Sequence, residues 1–267
     1  MKHAIPLKSI QNARELGGYK TADGREVRSG LLLRTAGLHS ISDEDIRTLT
    51  QTYRLQDVMD FRMDMELVGM ADPAIPDAVY HHLDVIDLEM FGDAVSADVD
   101  FTKMSIEQMV EVSVQMGMID EDMYIGFLDR EKGKKAFADF FRILTAADPD
   151  RAVLWHCTSG KDRTGLAAML LLTALGVEEE VILEDYLLTN EFNARRMEGT
   201  RQFLKAKGMD DAFIDKAILV FDGVDRRFME NALAYLKETY GSVMGYIRDA
   251  LRVSQKDVDS LKEKYLI

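Results

Sequence analysis

The stretch from residue 152 to residue 175, AVLWHCTSGKDRTGLAAMLLLTAL, constrains the fold of this chain more than any other. An apolar run too short for a helix, Ala152 to Trp155, ends at His156 and Cys157. A small glycine-containing loop follows, and a long apolar helical pattern begins near Arg163. The spacing between the thiol and the arginine lets a loop turn its backbone N–H groups toward one tetrahedral anion. The stretch therefore predicts a strand, an anion-sized loop and a helix N-terminus, with the thiol at the centre of the loop.

Composition and charge exclude several classes of protein. The chain has 267 residues, 47% apolar and 30% charged, which is typical of a globular protein with a full core. Its net charge of −14 argues against nucleic-acid binding and against attachment to an anionic membrane. The start of the sequence lacks a signal-peptide pattern, and no run approaches the roughly 20 apolar residues of a membrane span. We expect a cytoplasmic protein with no stable membrane insertion, although secretion by another route stays open.

Short apolar runs alternate with helical patterns along much of the chain. Runs of strand length occur at 31–33, 55–61, 79–86 and 152–155, and helical spacing follows Ser42 and covers 134–147. The pattern from Leu166 to Leu175 is apolar nearly all round, which predicts the most buried helix, capped by Gly176. Residues 178–267 are helical in every pattern, including one from Phe192 through Lys207. These patterns predict an α/β fold with a mostly parallel central sheet flanked by helices and a helical C-terminal third.

No linker, repeat or low-complexity tract divides the sequence, so we predict a single domain over residues 1–267. Residues 87–130 have a looser, acidic and methionine-rich pattern with helical spacing between Ile106 and Met116. This segment could form a helical lid or insertion. The simpler interpretation is that its methionines fill gaps in the core.

The loop after Cys157, the only cysteine, has the composition of a thiolate and phosphate site. A thiol is a good nucleophile only as the thiolate. Inward N–H groups of Thr158 to Arg163, the positive end of the following helix, and the cations Lys161 and Arg163 all favour negative charge at the centre. Arg163 could bind two phosphate oxygens, and Thr164 could donate its hydroxyl to the sulfur. The candidate phosphate-binding residues are Thr158, Ser159, Gly160, Lys161, Arg163 and Thr164.

Phosphoryl transfer also needs a proton donor for the leaving oxygen. Asp162, inside the predicted loop, is the first candidate, and Asp84 and Asp87, at the end of the third strand, are its rivals. The alternative for Asp162 is that its carboxylate accepts backbone N–H bonds and only holds the loop.

A metal site is not expected from this sequence. His81 and His82 are adjacent in a predicted strand, so their rings should point to opposite faces of the sheet. With five scattered histidines and one cysteine, we predict no metal and no cofactor.

The segment HCTSGKDRTG resembles the HCxxGxxRTG signature of cysteine-dependent phosphatases. Its Lys-Asp pair is similar to that of the bacterial atypical tyrosine phosphatases, which also attack phosphoserine, phosphothreonine and phosphoinositides. NARELGGY, GLLLRTAGL, DVMDFR and DYLLTNEF also resemble segments of that family, in the same order. The resemblance implies attack by Cys157, a phosphocysteine intermediate, phosphate binding by Arg163 and the loop amides, and release of inorganic phosphate. It also implies that Lys161 and Asp162 widen the substrate range toward phosphoinositide headgroups.

Two other functions stay open at this point. A catalytically weak module could use the same loop to hold phosphorylated partners, although Cys157, Asp162 and Arg163 together favour catalysis. A rhodanese-like sulfurtransferase also uses one loop cysteine, but the long buried helix after Arg163 fits it poorly. The sequence does not rank phosphotyrosine, phosphoserine or phosphothreonine, and phosphoinositide as substrates. It does not indicate the oligomeric state either.

Overall fold

A five-stranded sheet forms the centre of the protein. The computed structural model describes residues 3–87, 89 and 104–267. The strands are β1 (Arg14–Glu15), β2 (Leu32–Thr35), β3 (Asp57–Asp60), β4 (Val79–His82) and β5 (Val153–His156), in the order β1-β2-β5-β3-β4. Only the pairing of β1 with β2 is antiparallel. The predicted, mostly parallel α/β sheet is confirmed.

Eleven α-helices surround the sheet in the described residues, and the last third of the chain is helical, as predicted. A π-helical turn (Thr48–Thr52) follows the first helix, and a 3-10 turn (Asp64–Leu67) follows β3. The helices are α1 (Asp43–Arg47), α2 (Ile106–Gln115), α3 (Met123–Asp129), α4 (Glu131–Ala146), α5 (Asp162–Leu175), α6 (Glu179–Phe192), α7 (Ala194–Ala206), α8 (Asp211–Phe221), α9 (Arg226–Tyr240), α10 (Val243–Asp249) and α11 (Gln255–Tyr265).

Alternate residues along the strands pack into two hydrophobic cores on opposite faces of the sheet. Trp155 and Val153 of β5 pack with the larger core, which includes α3, α4 and α5, whereas Leu154 packs with the N-terminal segment on the opposite face. Every residue of α5 except Thr173 is buried, which confirms the prediction for this helix. Gly176 ends α5 with a φ of 93°, and the N–H of Val177 donates to the carbonyl of Leu172.

Two predicted elements differ from the structure. The run 79–86 forms a strand only as far as His82, because the chain then leaves the sheet edge and buries Val85 and Ile86 in the core. The helical pattern from Phe192 through Lys207 breaks at Asn193, where α6 ends and α7 begins. The amide of Asn193 donates to the carbonyl of Asp222, which fixes this corner against the end of α8.

The segment 87–130 is helical where it is described. Helix α2 packs against α8 in a small third core, and α3 packs against α4, α5 and α9. Met116 and Met118 contact the main core and Met123 is buried in it, which supports the core interpretation for these methionines. Residues 88 and 90–103 lie outside the described residues, and a lid formed by this segment stays a prediction. No helix in the described ranges is long and apolar enough to cross a membrane.

Truncation of Phe140 should test the packing between the sheet and α4. Its buried ring lies 5.4 Å from the ring of Trp155 and 5.8 Å from that of Phe61, measured between centroids. We expect Phe140→Ala to lower the free energy of unfolding by about 3–5 kcal/mol in a urea titration. Phe203→Ala is the matched control, because this ring is 52% exposed and its loss should cost less than about 0.5 kcal/mol. Equal effects of the two substitutions would contradict this assignment of the core.

Candidate active site

Cys157 lies at the carboxyl end of the central strand. Strand β5 runs between β2 and β3, and its last residue, His156, is in register with Thr35 and Asp60. Parallel sheets bind ligands at this edge, beyond the carboxyl ends of their strands. The thiol side chain is buried, and its position at the centre of the sheet edge agrees with the predicted strand and loop.

The carbonyl groups of the loop after the thiol all point away from it. The four carbonyls from Cys157 to Gly160 are bound by groups outside this stretch. The partners are His156 Nδ1 at 3.2 Å, Gly37 N at 3.1 Å, Asn12 Nδ2 at 3.3 and 2.8 Å, and Arg34 Nη2 at 3.1 Å. Because a trans peptide directs its N–H opposite to its C=O, the following N–H groups face the inside of the loop. None of the N–H groups of residues 158–163 donates a hydrogen bond within the described structure.

Gly160 makes this path of the loop sterically feasible. Its φ is +65°, and a Cβ atom added there would lie 2.2 Å from the carbonyl oxygen of Thr35. No other residue type fits at that distance from the neighbouring strand.

Helix α5 begins one residue earlier than predicted, so Asp162 opens the helix and does not lie inside the loop. The positive end of the helix therefore adjoins the free N–H groups. Thr164 is buried in the first turn, and its carbonyl accepts a bond from Trp155 Nε1 at 3.2 Å. Its hydroxyl makes no hydrogen bond with any described residue, so the suggested bond from Thr164 to the sulfur is absent.

Arg163 is held by a carboxylate that the sequence analysis did not identify. Glu66, in the 3-10 turn after β3, accepts from Arg163 Nη1 at 2.6 Å and from Nη2 at 2.8 Å. Nη1 also donates to the carbonyl of Phe61 at 3.1 Å, and the hydroxyl of Thr158 donates to Glu66. These contacts use three of the five guanidinium N–H groups. The remaining two, on Nε and Nη2, share one edge of the guanidinium and have no partner among the described residues.

The ion pair between Glu66 and Arg163 keeps both groups charged. Burial alone would raise the pKa of Glu66, but the charge of Arg163 and its hydrogen bonds outweigh burial and lower it. Burial would likewise lower the pKa of Arg163, yet Glu66 raises it above its ordinary value. Arg163 is therefore a fixed cation with one free edge.

A second buried carboxylate, that of Asp185 in α6, belongs to a cluster of charges that contacts the loop. Its oxygens lie 2.7 Å from Arg34 Nη1 and 3.4 Å from Arg14 Nε, and Tyr19 donates to it at 3.1 Å. Burial would raise the pKa of Asp185, but the two arginines outweigh it and lower the value. The pKa of Arg14 falls to about 10 because it is buried and lies near Arg34. Arg34 also binds the carbonyl of Gly160, so this cluster positions the loop directly.

A third cluster of charges packs behind His156. Arg62 contacts Asp60 at 2.6 Å and Asp72 at 2.9 Å, and His156 Nε2 lies 2.9 Å from Asp72. Burial would raise the pKa of Asp60, but His156 and Arg62 lower it to about 2. Donor atoms of the two aspartates and the histidine lie within 4.8 Å of one another, a spacing that could suit a metal. The guanidinium of Arg62 already contacts both carboxylates there, so it supplies the positive charge that a metal would bring.

Lys161 and Asp162 form a buried pair at the start of α5. Lys161 Nζ contacts the Asp162 oxygens at 3.1 and 3.0 Å and donates to the carbonyl of Leu219 at 3.0 Å. Tyr124 of α3 donates to Asp162 at 2.6 Å, and its hydroxyl lies 2.8 Å from that of Tyr186. Burial and the charge of Asp162 raise the pKa of Tyr124 well above its ordinary value. No described backbone N–H donates to Asp162, so its partners are these side chains and not the loop backbone.

The rival acids lie at the exit of β4. Asp84 accepts from Lys132 Nζ at 2.6 Å and from the N–H of Ile86 at 2.9 Å. Asp87 accepts from the N–H of Glu89 at 3.1 Å. Neither carboxylate contacts the loop residues within the described structure.

Nearly the whole chain matches a known family, and two curated relatives also cover nearly all of it. A family model described as the tyrosine phosphatase family matches residues 5–267. The chain belongs to the tyrosine phosphatase family. A Cupriavidus necator protein provisionally named a tyrosine-protein phosphatase is 32% identical over 99% of this chain and 89% of its own length. The triple specificity protein phosphatase PtpB of Mycobacterium tuberculosis is 28% identical over 96% of each chain.

Membership of this family identifies the protein as a tyrosine phosphatase-like phosphoric monoester hydrolase. A tyrosine-protein phosphatase of Nostoc commune is a further relative, 26% identical over 88% of this chain and 74% of its own length. The family resemblance of the segment HCTSGKDRTG is therefore confirmed.

Removal of the Glu66 carboxylate should test its effect on Arg163. We expect Glu66→Gln to lower kcat/KM on an aryl phosphate by about 10- to 100-fold, because a charge-assisted hydrogen bond contributes about 1.5–3 kcal/mol. Glu44→Gln is the matched control, since Glu44 forms an exposed pair with Lys8 and should have no effect. Unchanged kcat/KM in Glu66→Gln would mean that Arg163 keeps its position without this partner.

Proposed function

We propose that this phosphatase hydrolyses phosphotyrosine, with phosphoserine, phosphothreonine and phosphoinositides as further substrates, through a phosphocysteine intermediate on Cys157. The observation that carries the proposal is the loop with outward carbonyls and free N–H groups around the only thiol. A ring of unpaired N–H groups at a helix N-terminus suits a phosphate dianion. The name of the Mycobacterium tuberculosis relative, triple specificity protein phosphatase, suggests this range of substrates.

Cys157 supplies the nucleophile in this proposal. The inward N–H groups, the helix end and the free edge of Arg163 lie around its side chain, whose nucleophilic form is the thiolate. The thiolate attacks phosphorus, so that an S–P bond forms as the O–P bond to the leaving group breaks. Water then attacks the phosphocysteine, which releases inorganic phosphate and restores the thiolate.

Arg163 stabilises the transferred phosphoryl group. Its free Nε and Nη2 protons form a planar fork that matches two equatorial phosphate oxygens. Because Glu66 holds the adjacent edge through Nη1 and Nη2, the fork is in place before the substrate binds. Such preorganised donors stabilise the transition state without a cost of reorientation.

A carboxylic acid must protonate the leaving oxygen, and we assign this role first to Asp162. It precedes Arg163 directly, and the hydroxyl of Tyr124 links it to α3. Asp84 and Asp87 are the alternatives on the β4 side of the site. In this proposal Lys161 acts through Asp162, because its ammonium contacts that carboxylate.

The two other functions explain fewer of the contacts. A phosphate-binding module needs the N–H groups and Arg163 but has no use for a buried thiol at the centre of the loop. A rhodanese-like transferase would act on a sulfur donor, and membership of the tyrosine phosphatase family argues against it.

Replacement of the nucleophile should abolish turnover and leave binding intact. Purified wild type should release phosphate from an aryl phosphate, and from at least one of a phosphotyrosine peptide, a phosphoserine peptide and a soluble inositol phosphate. We expect Cys157→Ser to reduce kcat by about a thousandfold or more, as for loss of other catalytic nucleophiles, and to keep its affinity for phosphate. A wild type that binds a phosphopeptide without hydrolysing any substrate would support the binding module. Thiosulfate-dependent formation of thiocyanate would support the transferase.

The proton donor can be identified by its dependence on the leaving group. We expect Asp162→Asn to slow a substrate with a poor leaving group at least about tenfold more than one with a good leaving group, because a good leaving group needs less protonation. Asp84→Asn and Asp87→Asn are the parallel variants. If Asp162→Asn slows both substrates equally and one of the others shows the differential effect, the role belongs to that residue.

A further inference from the structure

A groove extends sideways from the phosphate loop along the N-terminal segment and α7. It consists of two adjoining cavities of about 270 and 770 Å³ that share the residues Ile10, Gln11 and Arg196. Thr158 and Ser159 of the loop line the smaller cavity, so the groove begins beside the loop that follows Cys157. The larger cavity is of a size that commonly holds a ligand. We call these two cavities the lateral groove.

The charge of the lateral groove is opposite to that of the molecule. The chain as a whole carries a net charge of −14. Among the described residues that line the groove, Arg195 and Arg196 are cations, and none is an aspartate or glutamate. A local field of this sign attracts an anionic ligand to the groove.

Arg196 is held in place at the junction of the two cavities. Its Nε contacts Asp222, and its Nη1 donates to Gln11 at 2.8 Å. Asp222 is fully buried and is itself fixed by the hydroxyl of Thr200 at 2.7 Å. Nη2 has no partner in the described part of the chain, and the side chain is 39% exposed. Arg196 therefore presents a positioned donor whose stem cannot swing freely.

Apolar side chains line the groove beyond this arginine. Ile5, Leu7 and Phe203 contribute to the larger cavity, and Phe203 is 52% exposed. From the loop outward, the groove thus offers first a cation and then an apolar wall. An extended peptide presents its side chains in such a sequence. An inositol lipid instead keeps all its anionic groups on one ring at an anionic membrane, which a protein of this charge does not favour.

We propose that the lateral groove binds the polypeptide on one side of the phosphorylated residue, and that Arg196 selects an acidic side chain there. This inference rests on the proposed phosphatase function and adds its substrate class, a phosphoprotein with an acidic flank followed by an apolar residue. Arg196 acts on specificity and has no part in the chemical step. Selection is expected in the relative kcat/KM of peptides and not in the hydrolysis of a small aryl phosphate.

The test compares two phosphotyrosine peptides that differ only in whether the flanking acids are present or replaced by their amides. A charge-assisted hydrogen bond corresponds to a preference of about tenfold or more, and we expect wild type to favour the acidic peptide by that factor. Arg196→Gln combined with Asp222→Asn should bring the ratio of kcat/KM close to one, because this pair of changes removes the cation without stranding a buried carboxylate. Hydrolysis of an aryl phosphate should stay unchanged.

Two control variants separate the charge from the fold. Asp222→Asn alone keeps Arg196 and should keep or increase the preference. Arg201→Gln removes an arginine of similar exposure from the same helix, paired with Asp215 outside the groove, and should have no effect. If wild type shows no preference, or if the double variant keeps it, the proposal is wrong. Hydrolysis of inositol phosphates without hydrolysis of either peptide would also overturn it.

Binding measurements keep this inference separate from the proposed function. The dissociation constants of both peptides are measured with Cys157→Ser, with and without the double substitution. A tenfold preference that disappears in the combined variant supports the groove even if wild type releases no phosphate, which would refute only the phosphatase mechanism. Equal dissociation constants for the two peptides, together with normal turnover, would refute only the groove.

Discussion

The burial of charge around the loop that follows Cys157 is the constraint on which the site depends. Asp185 lies between Arg14 and Arg34, Arg34 binds the carbonyl of Gly160, and Glu66 binds Arg163. A buried ion pair costs desolvation and adds little stability unless its geometry is satisfied, so such pairs are better explained by the position they enforce. Here they hold the loop carbonyls outward and turn the free N–H groups toward one point.

This arrangement prepares the site before any substrate is present. Asp162 neutralises the charge of Lys161. Glu66 holds Arg163 but leaves one edge of its guanidinium free. The donors at the N-terminus of α5 are therefore already in place for an anion, so that their reorganisation costs little free energy. In a chain with a net charge of −14, the proposed roles of the loop and the lateral groove make them the places that attract a phosphorylated, acidic segment.

Local patterns were enough to predict the strand, loop and helix around Cys157, the burial of α5 and the helical C-terminal third. Each of these depends on residues close together in the sequence. The partners of the loop were not predictable in this way, because they come from distant parts of the chain. Glu66 is 97 residues from Arg163, Asp185 is 151 residues from Arg34, and Tyr124 is 38 residues from Asp162. The segments NARELGGY and DYLLTNEF resembled the family and contain Arg14 and Asp185, but only the fold shows what these residues contact.

The most direct test of the account is to trap the covalent intermediate. Wild-type protein is mixed with excess aryl phosphate, quenched with acid within the first turnover, digested and mapped by mass spectrometry. We predict a phosphoryl group on the peptide that contains Cys157. A phosphoryl group on another residue, or turnover with no covalent adduct at any time, would contradict it.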